Sequence, residues 1–156
     1  LHFKGWKMKI LKASAWSEDQ ILNYLERADT PLRISCNQTD GYPLICSLWF
    51  VHKDGILWSA SHKNSYLVKA LKNNPKIGLE VATNELPYHG VRGKADTELI
   101  DDSSGKILGK VIGKYLQGGN ESLSRWLLSR KEDEYAIKIK PISLTSWDFS
   151  ARMDAP

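Results

Sequence analysis

Cysteine and histidine are scarce in this 156-residue chain, and their spacing excludes the common zinc sites. The two cysteines are Cys36 and Cys46, no C-x-x-C pair is present, and the four histidines lack zinc-ligand spacing. The sequence therefore predicts no metal site. Both cysteines lie about equally far from a predicted turn at Gly41, so a disulfide across a hairpin is conceivable. With one pair and no secretory signal, we expect buried free thiols instead.

Long hydrophobic runs are also absent. The chain has neither the apolar core of a signal peptide nor an apolar stretch of membrane length, so we expect a cytoplasmic protein without membrane contact. Its length predicts one domain over residues 1–156, with residues 1–16 as an N-terminal extension. A chain of this size buries roughly 68–70% of its unfolded surface, which is enough for a core without disulfides.

No strong excess of one charge is present. Lysine and arginine number 22 against 18 acidic residues, and the resulting charge of +4 is scattered along the chain. This weakly favours phosphorylated ligands. The aromatic content leaves open a barrel that stacks single-stranded nucleic acid, but Trp49, Phe50 and Trp58 lie in apolar contexts typical of a core, so nucleic acid is the less favoured partner. No Ser-His-Asp set or paired-carboxylate site is identifiable, and the catalytic residues stay unknown.

Alternating apolar residues and turn signals predict a strand-rich fold. The α+β, mainly β, interpretation is a small antiparallel barrel, closed or partly closed, with short helices between the strands. Strands are predicted at 31–37, 42–52, 56–59, 77–81, 91–99, 134–140 and 144–149, and helices at 17–28, from Ser65 to Asn74, at 106–116 and at 121–129. Ser17 with Gln20 three residues later forms a capping-box pattern at the start of the first helix. Glycines 105, 109 and 113 recur every four residues and predict a close contact of the third helix with another element.

A polar run precedes the second helix. Residues 59–65 read Ser-Ala-Ser-His-Lys-Asn-Ser, and an apolar helix pattern begins at Leu67. Hydroxyls, a lysine and free backbone N–H groups at a helix N-terminus are suited to binding an anion. The alternative is an ordinary cap, with Ser65 as the capping residue.

An ordered series of motifs from about Pro31 onward resembles the FMN-binding split β-barrel family, which includes pyridoxamine 5′-phosphate oxidase. The series comprises Gly41-x-Pro43, Leu48-Trp49-Phe50, the Asp54-Gly55 turn, the helix start at Ser65, Leu71, Asn74-Pro75, the segment 87–93 and the two late strands. The resemblance implies a split β-barrel, a homodimer and an FMN site between strands of two subunits. It also implies hydride or electron transfer at the flavin, with an unknown small molecule as substrate. Deazaflavin or haem in place of FMN, and binding without turnover, remain alternatives.

The resemblance also assigns cofactor-binding residues. The strand Cys46, Ser47, Leu48 and Trp49 corresponds to the one along the flavin ring, and Ser59, Ser61, Lys63 and Ser65 to the turn that meets the phosphate. Lys69 lies one helical turn beyond Ser65. Arg92 is a second phosphate candidate, with a surface pair to Glu80 or Glu98 as the alternative. Trp147 corresponds to the aromatic residue that covers the flavin from the partner subunit, with Arg152 as its companion, while interface packing is the alternative for Trp147.

Two departures from the family pattern restrict this assignment. The family commonly has arginine or lysine directly after the serine matched by Ser65, whereas this chain has Tyr66 and Leu67. Phosphate binding would then depend on Lys63 or Lys69. The chain also lacks the C-terminal Arg-Leu-His signature of true pyridoxamine phosphate oxidases. Oxidation of vitamin B6 is therefore not expected.

Overall fold

The computed structural model describes residues 5–153 and is dominated by strands. Its strands are β1 Lys9–Ile10, β2 Leu32–Asn37, β3 Pro43–Leu48, β4 Val51–Lys53, β5 Ile56–His62, β6 Lys76–Ala82, β7 His89–Asp101 and β8 Glu134–Asp148. Its helices are α1 Glu18–Arg27, α2 Tyr66–Asn73, α3 Lys106–Leu116, α4 Glu121–Ser129 and α5 Ser150–Met153. A short 3₁₀ turn, Lys131–Asp133, precedes β8. The predicted α+β, mainly β class is confirmed. None of the helices in the described range is long and apolar enough to cross a membrane.

The strands form one sheet whose two end strands are neighbours in the chain. The order is β3-β2-β6-β7-β8-β5-β4, with antiparallel pairing along this path, and β1 adds to β8 in parallel. The ends of this path, β3 and β4, are separated in the chain by Trp49 and Phe50 alone. The sheet must therefore curve until its two ends meet. In the described residues β3 forms no backbone ladder with β4 or β5, so the barrel is split there.

Trp49 and Phe50 interrupt the strand, whereas one long strand from Tyr42 to His52 was predicted. That prediction was wrong because β3 pairs with β2 whereas β4 pairs with β5. Side chains of α3 satisfy the backbone at the break. The Phe50 carbonyl accepts a 3.0 Å hydrogen bond from Lys114 Nζ, and the Phe50 N–H donates to the Tyr115 hydroxyl at 3.5 Å. These groups replace the ladder partners that a continuous strand would supply.

Two closing strands were predicted, but β8 is one continuous strand of 15 residues. Pro141 lies in the gap between the two predicted strands, 134–140 and 144–149. In the structure it pairs with Ala95 at an irregularity of the β7–β8 ladder, between Lys94 and Ala95. A bulge is a position where proline, which has no N–H to donate, fits within a sheet. The return strand β5 is likewise longer than predicted, so Ser61 and His62 are strand residues.

The helix starts follow the sequence signals. Ser17 caps α1 in a reciprocal capping box with Gln20, and the Ser65 hydroxyl accepts the Val68 N–H at 3.1 Å. Both predicted caps are confirmed. The close contact predicted for the glycines of α3 was wrong, because no atom of the described chain lies within 4 Å of a Cβ built at Gly109 or Gly113. Gly105 instead adopts a left-handed conformation, φ 72°, at the N-cap of α3.

Both cysteines are free thiols, as predicted, and they are not directly opposite each other. Cys36 pairs with Leu44 and Cys46 with Ile34, so the two cysteines occupy diagonal positions of the β2–β3 ladder. Cys36 is buried, whereas Cys46 is only partly buried against the core. Burial raises the pKa of both thiols, and this makes the reactive thiolate scarcer.

Candidate functional site

Two serine hydroxyls meet where β5 passes into α2. Ser61 is near the end of β5 and Ser65 is the N-cap of α2, and their oxygens are 2.9 Å apart. The separation of four residues allows this contact because the chain turns between them, with the Ser65 N–H donating to the His62 carbonyl at 2.9 Å. The turn thus presents two adjacent hydroxyl groups beside the first turn of a helix.

Two lysines from different elements approach an aromatic ring next to this pair. Lys63 lies in the turn and Lys72 in the last turn of α2, and the Nζ atom of each is 5.3 Å from the centre of the Tyr135 ring. Tyr135 is the cross-strand neighbour of Ser61 on β8. Ser61, Lys63, Ser65, Lys72 and Tyr135 are referred to below as the serine-turn cluster. It combines two hydroxyl groups with two ammonium groups, a donor set that suits a phosphate.

Lys63 is not bound strongly to protein groups. Its Nζ is 3.6 Å from Asp101 Oδ1, but the Asp101 side chain is 67% exposed. An exposed pair of this kind contributes about 0–1 kcal/mol. An arriving phosphate could therefore replace the carboxylate as the partner of Lys63.

The backbone of the turn has fewer free donors than the sequence predicted. The N–H of Lys63 donates to the Asp133 carbonyl at 2.7 Å, and the N–H of Asn64 donates to His62 Nδ1 at 3.1 Å. The N–H of Ser65 is also used within the turn. The N–H groups of residues 63–65 are therefore engaged within the protein. The N–H groups of Tyr66 and Leu67, in the first turn of α2, have no partner in the described residues, so these two and the side chains are the donors left for the predicted anion.

Ser59 joins two strands instead of facing the turn. Its side chain is fully buried, and its hydroxyl donates a 2.7 Å hydrogen bond to the Trp49 carbonyl. We therefore propose a structural role for Ser59 in place of the predicted phosphate contact. This hydrogen bond also places the end of β3 next to β5, which continues towards the serine-turn cluster.

The predicted ring-binding strand, Cys46–Trp49, lies along the split of the barrel. β3 pairs with β2 on one side, and within the described residues no strand pairs with its other side. Along β3 the side chains of Leu44, Cys46 and Leu48 pack against the core, whereas Ser47 is exposed. Trp49 stacks on Tyr115 with ring centres 5.1 Å apart and planes 4° apart. The free edge of β3 offers main-chain donors and acceptors to a ligand.

A groove runs over the outer face of the sheet, across β2, β3, β6, β7 and β8, with a volume of about 620 Å³. We call it the outer-face groove. Strand register places most of its lining residues in two rows across the sheet, Arg33–Glu80–Arg92–Thr145 and Ile45–Ser35–Gly78–Lys94–Ser143. Arg92 lies above the Trp147 ring at 5.4 Å. The structure thus brings Arg92 and Trp147 together, beside Arg33, which the sequence did not identify.

The outer-face groove and the serine-turn cluster are far apart within one chain. Ser61 is level with Tyr135 and Asp101, and Arg92 is nine residues before Asp101 on β7. At about 3.3 Å per residue this separation is roughly 30 Å. One chain therefore does not gather Arg92 and the serine hydroxyls around a single phosphate.

Two further predicted residues lie outside both regions. Lys69 is exposed on α2, with its Nζ 5.6 Å from the Tyr66 ring, and lines a cleft against the β2–β3 turn. Arg152 is exposed in α5 and lies over Phe149 at 5.4 Å. Their roles towards a ligand stay predictions.

Besides the exposed Asp101, a buried carboxyl group lies close to the serine-turn cluster. Glu134 is buried at the start of β8 and is the cross-strand neighbour of His62. Burial raises the pKa of the Glu134 carboxyl, while the positive charge of Arg130, whose Nη2 is 3.8 Å from Glu134 Oε1, opposes this shift. Sequence patterns did not indicate Glu134, Lys72 or Tyr135 at the site. The register of β8 places Glu134 and Tyr135 there, and Lys72 lies two helical turns beyond the cap.

No family model matches this chain, and no curated protein matches it in sequence. Solved structures do match it in fold. A conserved hypothetical protein from Mycobacterium tuberculosis superposes with a TM-score of 0.76 at 16% identity, over 96% of this chain and 94% of that one. An F420 reductase matches with a TM-score of 0.67 at 19% identity, over 79% of this chain and 94% of that one.

A flavocytochrome from Azotobacter vinelandii also matches, with a TM-score of 0.67 at 15% identity, over 87% of this chain and 69% of that one. Identities this low establish the fold alone. The expected likeness to flavin-binding split-barrel proteins is confirmed at that level. The chain has the split β-barrel fold that these proteins share.

Proposed function

We propose that the protein is a flavin-binding protein, with FMN as the cofactor, and that the serine-turn cluster holds the phosphate. The observation that carries the proposal is that the paired Ser61 and Ser65 hydroxyls lie next to Tyr135, whose ring centre is 5.3 Å from the Nζ atoms of both Lys63 and Lys72. Hydrogen bonds between a charged donor and a phosphate contribute about 1.5–3 kcal/mol each. Lys72 supplies the second cation that the sequence lacks directly after Ser65.

The flavin ring would lie along the free edge of β3. The Ser59–Trp49 hydrogen bond marks where β3 and β5 meet. From this junction Ser61 is two residues along β5, about 7 Å, and Cys46 is three residues back along β3, about 10 Å. The phosphate donors and the unpaired backbone of β3 therefore lie on two sides of one split, and a single flavin mononucleotide is proposed to occupy it.

A second copy of the chain would complete the site. Arg92 lies roughly 30 Å from the serine-turn cluster along β7, and Trp147 lies roughly 40 Å from it along β8, so they can contribute to the same flavin only from another molecule. We propose a homodimer in which Trp147, held by Arg92, covers the flavin bound to the partner. The exposed Ile45 and the groove around Gly78 provide the apolar surface for this contact.

The proposed activity is two-electron oxidoreduction of an unidentified small molecule. A bound flavin supplies hydride or electron transfer, and the chain binds it and fixes its orientation. The lysines neutralise the phosphate, and the β3 edge and the partner's tryptophan hold the ring and exclude water. No side chain of this chain is assigned as an acid or base.

The test is the visible absorption spectrum of the purified protein, followed by titration with FMN, F420 and haem and mass identification of any ligand released on denaturation. A bound or saturably bound FMN supports the proposal. A protein that takes up only F420 or haem would overturn the FMN assignment, and one that binds none of the three would overturn flavin binding.

A further inference from the structure

A second cavity of about 500 Å³ lies on the far side of the barrel wall, between α3 and strands β4, β5, β7 and β8. Its apolar lining consists of Val51, Trp58, Ile100, Ile107 and Ala136. The volume falls within the range of about 300–1,000 Å³ that small-molecule sites occupy. We call it the lysine cavity.

Three ammonium groups line this cavity. Lys106 and Lys110 are one helical turn apart on α3 and so share a face, and Lys53 lies opposite them on β4. A fourth lysine, Lys138, is the cross-strand neighbour of Trp58 and approaches its ring at 5.6 Å. The cavity therefore combines the indole ring of Trp58 with several nearby ammonium groups.

The two carboxylates of the cavity lining are already engaged. Asp102 is buried and accepts hydrogen bonds from the N–H groups of Lys106, Ile107 and Leu108, at 2.9 to 3.1 Å. Glu26 Oε2 is 2.9 Å from His52 Nδ1, and His52 Nε2 accepts the Gly55 N–H at 3.1 Å. The imidazole proton is thus assigned to Nδ1 and donated to Glu26. Neither carboxylate forms an ion pair with Lys53, Lys106 or Lys110 in the described part of the chain.

The geometry points to a second ligand site here, for a small organic anion that carries an apolar ring or chain. The apolar part would lie on Trp58 and Val51, and the anionic group would be bound by the lysines. This site is separate from the proposed flavin site, because Trp58 and Ser61 are three residues apart on β5 and their side chains point to opposite faces of the sheet.

The probe is anilinonaphthalene sulfonate, whose fluorescence rises when it leaves water and which combines an aromatic ring system with an anion. We expect saturable binding of one molecule per chain to the full-length protein. The double variant Lys106→Gln/Lys110→Gln should weaken it at least about tenfold, because each charge-assisted hydrogen bond contributes about 1.5–3 kcal/mol. Both lysines are exposed, so the fold is expected to persist.

The matched control is Lys12→Gln/Lys76→Gln, which removes two charges from exposed lysines that line neither the lysine cavity nor the outer-face groove and should leave binding unchanged. Naphthoate should displace the probe, whereas uncharged naphthalene methanol at the same concentration should not. Equal effects of the two double variants, displacement by the alcohol, or displacement by FMN would each overturn the proposal. FMN bound elsewhere without displacing the probe supports two separate sites, and loss of FMN binding alone would leave the lysine cavity intact.

Discussion

The serine-turn cluster and the outer-face groove differ in how the chain assembles them. Three members of the cluster, Ser61, Lys63 and Ser65, lie within five consecutive residues, and a single turn brings the two hydroxyls to 2.9 Å. Arg92 and Trp147 of the groove are 55 positions apart in the sequence and meet only through the β7–β8 register. The cluster is assembled within one chain, whereas the groove is an exposed surface for which we propose a role in flavin binding only beside a second chain.

The largest expected effect is a loss of FMN affinity in variants that remove a lysine from the cluster and leave the groove intact. Lys63→Ala and Lys72→Ala should each weaken FMN binding by about tenfold to a hundredfold, because each removes a charged donor worth about 1.5–3 kcal/mol. Flavin fluorescence quenching measures the affinity. Lys72 is the sharper case, since the sequence pattern did not indicate it.

Lys53→Ala is the control for these variants. Lys53 is an exposed lysine that pairs with Ile56 at the opposite end of β5 from Ser61, roughly 17 Å away by strand length. Its removal changes the net charge equally and should leave FMN affinity unaltered. Equal losses in all three variants would mean that overall charge, and not the cluster, governs binding.

A smaller effect is expected at the break between β3 and β4, which sets the position of the free strand edge. Lys114→Met should lower the free energy of unfolding by about 1–3 kcal/mol, because the Phe50 carbonyl loses its donor. Burial lowers the pKa of Lys114, because desolvation disfavours the charged ammonium group. Removing this charge recovers the desolvation cost, and this limits the net loss of stability. Urea denaturation measures the change.

Lys110→Met is the matched control for Lys114→Met, since Lys110 is exposed one turn earlier on α3. It should change stability by less than about 0.5 kcal/mol. If the two variants were equally stable, the Lys114–Phe50 hydrogen bond would not hold the break in place.

The smallest effect concerns the carboxyl group beside the cluster. The pKa of Glu134 is raised by burial, so between its unfolded and folded pKa values the folded protein binds more protons than the unfolded chain. Stability should therefore fall as pH rises through this window, beginning near the ordinary glutamate value. Thermal unfolding of Glu134→Gln should lack this fall, and an identical pH profile in the variant would show that Glu134 does not titrate as described.

The sequence predicted the local features of the fold and of the site. The capping box at Ser17, the cap at Ser65 and the alternation of β2 and β6 depend on neighbouring residues, and each is present. The break at Trp49 and Phe50 depends on Lys114 and Tyr115, more than 60 positions away. No periodicity within the strand could reveal it.

The same reasoning explains which site residues escaped prediction. Tyr135 joins the cluster because β8 pairs with β5 in one particular register, and Arg33 joins the groove because β2 pairs with β6. Local patterns also could not predict that the Lys63 N–H is engaged, since it donates to the carbonyl of Asp133, which precedes β8. The residues that escaped prediction are therefore those placed at the site by pairing between strands distant in the sequence.

The central claim is that the cluster of one chain and the groove of another share one flavin, and mixing two variants tests it most directly. Lys63→Ala and Trp147→Ala chains are each expected to bind FMN weakly, but a dimer of one with the other has one site with both residues intact. Unfolding and refolding them as an equal mixture should restore tight FMN binding at about one quarter of the sites, because half the dimers are mixed and each carries one intact site. Wild-type protein, refolded in the same way, is the control and should regain tight FMN binding. If the mixture then binds FMN no more tightly than the separate variants do, the shared site is contradicted.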